Sequence, residues 1–69
     1  MENRIKEYRA RYNYSQETLA NLIHVSRQTI GFIEKRKMIP STVLALKLAK
    51  VFDCKVEDLF SLREDNDKL

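Results

Sequence analysis

The stretch QETLANLIHVSRQTIGFIEKRK, Gln16 to Lys37, decides how this chain folds. It carries two apolar stripes at helical spacing, Leu19, Leu22 and Ile23 in the first and Ile30 and Ile33 in the second. Between them lie His24, Val25 and Ser26. Ser26 is a favoured residue for opening a helix, as is Ser15 ahead of the first stripe. Two short helices joined by so tight a link predict a helix-turn-helix. Such a pair must be locked at a steep angle so that its second helix projects one side outward. Leu19, Ala20, Ile23, Val25, Ile30 and Ile33 supply the lock, and Ala20 is small where the helices cross closely.

The outward side of the second helix, about residues 26–34, follows from helical geometry. At about 100° per residue, Ile30 and Ile33 mark the core side. Arg27, Gln28, Gly31, Phe32 and Lys35 fall opposite them. Arg can bond guanine at O6 and N7, and Gln can bond adenine at N6 and N7. Phe32 is suited to a thymine methyl. Gly31 weakens a helix interior, and a close approach to DNA would rationalise it. The basic run Lys35, Arg36, Lys37 suits phosphates.

Outward from this stretch the chain is also helical. It holds one Gly and one Pro. Asn3 is expected to cap a first helix bearing Ile5, Tyr8 and Tyr12, with Asn13 as its left-handed stop. Pro40-Ser41 opens a fourth helix. Its apolar residues, from Val43 to Phe52, run nearly all round, which predicts the most buried element. Asp53 and Cys54 end it, and KVEDLF suggests a short fifth helix. The apolar LFSL reads either as a short strand or as a partner surface. The fold class is therefore all-α. Residues 1–62 form one domain, and 63–69 a polar, frayed tail.

Composition narrows the function. With 69 residues the chain can build only a small core. One Cys and one His exclude an internal disulfide and make no metal set, so no metal or cofactor is expected. A single thiol and no apolar leader lead to the expectation of a cytoplasmic protein. No apolar run approaches the roughly 20 residues of a membrane span. The net charge is +3, which permits a nucleic-acid partner without demanding one. Neither a Ser/His/acid arrangement, nor paired acids, nor a phosphate loop points to an enzyme.

From Tyr14 to Phe60, YSQETLANLIHVSRQTIGFIEKRKMIPSTVLALKLAKVFDCKVEDLF resembles the phage repressor/Cro-like, or XRE, family of helix-turn-helix regulators. The resemblance implies a five-helix, lambda-repressor-like domain whose third helix enters the major groove. It implies a DNA-binding transcriptional regulator, a repressor. Base-facing roles fall to Ser26, Arg27, Gln28, Gly31 and Phe32. Phosphate roles fall to Gln16, Thr29, Lys35, Arg36 and Lys37, with Gln16 also bracing Arg27. Arg9 and Glu34 match a structural salt bridge. Three positions depart from the family pattern. His24 and Arg36 stand where Gly is usual, and Asp53 where Gly or Asn is usual. Such sites often need positive φ, which Asp and His tolerate better than Arg.

Two further expectations concern partners. One such unit reads few base pairs, so a homodimer on a near-palindromic operator is expected, with half-sites about 34 Å apart. Leu59, Phe60 and Leu62 are the expected contact surface, with the chain ends pairing as a short antiparallel sheet. The competing reading keeps the fold but makes it a protein-interaction module, such as an antitoxin or a partner-binding regulator.

Overall fold

The computed structural model describes residues 1–63. The three middle helices start where a serine hydroxyl closes them. Ser15, Ser26 and Ser41 are extended, and each side chain accepts the backbone N–H three residues on. They open α2 (Gln16–Leu22), α3 (Arg27–Glu34) and α4 (Thr42–Val51). α1 (Ile5–Tyr12) precedes them and α5 (Val56–Leu59) follows. Asp58 opens α5 by accepting the Lys55 N–H at 2.9 Å. Asn3 is not the cap of α1, because the cap position is Arg4. Asn3 belongs to β1 (Glu2–Asn3), although its Oδ1 accepts the Ile5 N–H at 3.3 Å.

The turns after α1 to α4 share one device. Asn13, His24, Arg36 and Asp53 all have positive φ, 56°, 61°, 62° and 49°. The three departures from the family pattern therefore adopt the backbone that Gly would adopt. For an L-residue this costs roughly 1–2 kcal/mol. Around Arg36 the turn is closed by backbone bonds, Arg36 N–H to the Ile33 carbonyl and Lys37 N–H to the Phe32 carbonyl, each 2.9 Å.

Of LFSL only the middle, Phe60 and Ser61, is a strand. β2 (Phe60–Ser61) pairs antiparallel with β1, Glu2 opposite Ser61 and Asn3 opposite Phe60. The segment before α1 is thus joined to the segment after α5, and the Arg4 N–H continues the pairing to the Leu59 carbonyl at 2.8 Å.

One core lies between the helices. Ile5, Leu19, Ile23, Ile30, Ile33, Leu48, Phe52 and Leu59 are its large buried members. Ala20 and Ala49 are buried where helices approach closely. Tyr8, Tyr12 and Tyr14 gather on Phe52, with ring centroids 5.5, 5.6 and 6.3 Å away. The Tyr12 hydroxyl donates to the Phe52 carbonyl at 2.8 Å, tying α1 to the end of α4. Cys54 is half-buried beside this core. Burial first, then the Asp58 and Asp53 carboxylates, push its thiol above the ordinary value.

Three expectations are corrected. α4 is not buried all round: Val43 is 63% and Leu46 57% exposed. A chain this small supplies neighbours for only one side of a helix. Leu22 is exposed, because it lies past the edge of the stripe that Leu19 and Ile23 turn to α3. Leu59 is 1% exposed, a core residue and no part of an outer contact surface.

Candidate nucleic-acid interface

α3 is held by its buried side, and that leaves its other side to solvent. Ile30 and Ile33 anchor it in the core with Leu19 and Ala20 of α2 and with Ile23 just past its end. On the far side Arg27, Gln28, Gly31, Phe32 and Lys35 line an open hollow of about 350 Å³, walled on one edge by Gln16. Two cations and two amides face it and no carboxylate does. The side chains of Arg27, Gln28 and Lys35 have no hydrogen bond or ion pair among the described residues. Their donors are available to a ligand.

Below the hollow the polar groups are all engaged. Arg9 grips Glu34 at two points, Nε to Oε2 at 2.6 Å and Nη2 to Oε1 at 3.3 Å. Its Nη1 donates to the Tyr14 carbonyl at 2.9 Å. The two side chains are only 15% and 9% exposed, so the pair fixes α1 to the end of α3 with little competition from water. Gln16 joins this network, its Nε2 donating to Glu34 Oε1 at 2.9 Å. The expected brace from Gln16 to Arg27 has no hydrogen bond among the described residues: the Gln16 Nε2 is turned to Glu34, and a guanidinium, which has no acceptor, could be held only by the Gln16 Oε1.

Ser26 and Thr29 are engaged differently. The Ser26 Oγ accepts the Thr29 N–H at 3.1 Å and lies 2.9 Å from the Thr29 hydroxyl. Both hydroxyls serve the start of α3 before any ligand arrives. Gly31 is not required by the fold. A Cβ there would meet only the Gln16 amide nitrogen, at 3.9 Å, an ordinary contact.

Past α3 the basic run divides. Lys35 and Lys37 are exposed. Arg36 instead points its Nη1 at Glu2 Oε1, 2.8 Å away. Sequence reasoning missed two residues here. Glu2 holds Arg36, and the Asn3 amide donates to the Ile33 carbonyl at 2.8 Å at the end of α3. Each contact spans more than 29 residues, and no local pattern signals either.

Among the described residues no three His, Cys, Asp or Glu side chains gather to hold a metal, and no helix is long and apolar enough to cross a membrane.

Comparison with known proteins agrees with this geometry. The helix-turn-helix family model matches residues 5–59. A Bacillus subtilis protein described as an uncharacterized HTH-type transcriptional regulator, YgzD, is 52% identical over 66 residues, covering 96% of this chain and all of that protein. An uncharacterized HTH-type transcriptional regulator of Archaeoglobus fulgidus is 51% identical over 65 residues, 94% of this chain and 92% of its own length. The crystal structure of the restriction-modification controller protein C.AhdI from Aeromonas hydrophila superposes with a TM-score of 0.76 at 38% identity, covering 83% of this chain and 86% of that one.

Proposed function

The chain belongs to the helix-turn-helix family, of the XRE type, and from that premise we propose that it is a sequence-specific, double-stranded-DNA-binding transcriptional regulator. One observation carries the reading. The side chains of Arg27, Gln28 and Lys35 line one hollow with no hydrogen-bond or ion-pair partner among the described residues, beside a network in which Arg9, Glu34 and Gln16 are engaged. α3 enters the major groove with this hollow toward the bases. Arg27 and Gln28 read base edges, while Gly31 and Phe32 set the depth of approach. Gln16, Thr29, Lys35 and Lys37 take phosphates, and Ser26 holds the start of the helix. The mode of action is occupancy of an operator, which makes the protein a repressor where that operator overlaps a promoter.

A homodimer completes the reading, since two units about 34 Å apart match successive turns of a major groove. Its proposed surface differs from the one expected from sequence. Leu59 is internal, whereas Ile39 and Leu46 border an apolar hollow of about 280 Å³ together with Met1 and Phe60. Val43 is exposed one turn before Leu46. An apolar patch containing both a hollow and protruding side chains suits a self-complementary twofold contact. Selection from a randomised duplex pool at near-physiological salt tests both parts. A palindromic motif with half-sites one helical turn apart is the expected result. Leu46→Asp should turn a dimer at about 50 μM into a monomer by sedimentation and weaken palindrome binding more than half-site binding. Absence of any enriched motif would sink the specific-reader proposal. A wild-type protein that stays monomeric both free and on its operator would sink the dimer.

A further inference from the structure

The strand β1 places a carboxylate beside the basic run that follows α3. Glu2 sits opposite Ser61 in the two-stranded sheet, and the next residue, Asn3, is bonded to the Ile33 carbonyl. The strand is therefore pinned to the end of α3, and its carboxylate cannot drift far from Arg36. Glu2 Oε1 lies 2.8 Å from Arg36 Nη1 and 3.4 Å from Arg63 Nε. One oxygen serves two guanidinium groups. The backbone of Arg36 is equally constrained, left-handed and closed by bonds to α3 on either side. Its side chain is directed to the strand, while Lys35 borders the hollow.

We infer that Glu2 restrains DNA binding by holding Arg36 off the phosphate track, a role that rests on the DNA-binding reading above. Two effects share one sign. The ion pair occupies a cation that would otherwise meet a phosphate, and the carboxylate itself repels phosphates passing beside Lys35 and Lys37. The pair is half in water, 50% and 51% exposed, so it is readily exchanged once Glu2 is neutralised. Phosphate contacts supply sequence-independent affinity. Removing one of them lowers binding to every duplex and leaves base readout by Arg27 and Gln28 as the larger share.

The test is a double-mutant cycle in salt dependence, measured on the selected operator and on an unrelated duplex. Glu2→Gln should tighten both by roughly threefold and steepen the log–log salt slope by about 0.9, the signature of one added phosphate contact. Arg36→Ala alone should leave the slope unchanged, and added to Glu2→Gln it should remove the extra slope of about 0.9, leaving only the smaller gain in affinity from the lost carboxylate. Glu2→Thr, a residue that suits a strand, should repeat the result and removes any doubt about the fold of the first variant. Arg36→Ala lowering the slope by about 0.9 in the otherwise wild-type protein would overturn the inference, because Arg36 would already be on a phosphate. An unmoved slope in both Glu2 variants would overturn it too. If the wild-type protein binds no duplex at any salt, the DNA-binding reading falls as well; binding with an unmoved slope defeats this inference alone.

Discussion

The two sides of α3 are built on opposite terms. At its end, Glu34 accepts from Arg9 at two points and from Gln16 at one, almost out of reach of water. On its outward face Arg27, Gln28 and Lys35 have no partner among the described residues. The inner side is satisfied and rigid, and the outer side is exposed and unspent. A reading helix needs both. Base readout requires donors free of internal competition, and it requires them on a support that does not move when they bind. The difference teaches that polar residues only a turn or two apart on one helix can have unrelated duties, and that burial separates them.

The largest test of this division is Glu34→Ala. It strands a mostly buried guanidinium and releases the Gln16 amide, so unfolding free energy should fall by about 3–5 kcal/mol in urea denaturation. The base preference of the fraction that remains folded should be unchanged. A loss below about 1 kcal/mol would mean that water solvates Arg9 well, and the inner side would not be the support described.

Arg27→Ala is next. It should cost about 1–3 kcal/mol of discrimination at one base pair and leave stability within about 0.5 kcal/mol of wild type. Equal loss on all sequences would make Arg27 a phosphate contact and would move the reading function elsewhere on the face.

The smallest effect sharpens the boundary between the two sides. Gly31→Ala has room against Gln16 and should stabilise the protein by about 0.5–1 kcal/mol, because Ala is the better helix former. If α3 lies close to DNA at this point, the same variant should bind more weakly while it melts higher. A variant that is both more stable and equally tight would show that DNA does not approach Gly31.

Much of this could be read from the chain alone, for reasons that differ by residue. Ser15, Ser26 and Ser41 announce their helices because an N-cap bond spans three residues and is written locally. The free face of α3 follows from the spacing of Ile30 and Ile33. The four left-handed turns were signalled by Asn13 and, for His24, Arg36 and Asp53, by the places they hold in the family pattern. The Arg9–Glu34 pair also came from that resemblance, since nothing in a separation of 25 residues betrays it. Where sequence reasoning went astray it misjudged neighbours. Leu22 looked internal, α4 looked enclosed, and Leu59 looked like surface.

The sequence by itself determined where helices begin and turn, and which side of α3 is polar, because caps, periodicity and left-handed stops are local properties of the backbone and its nearest side chains. Only the tertiary structure decided what each side meets. It set Gln16 on Glu34, Glu2 on Arg36, Leu59 in the core and Leu46 in the open. Those outcomes depend on which distant segments arrive to exclude water from a given side chain, and a pattern along one helix does not contain that information.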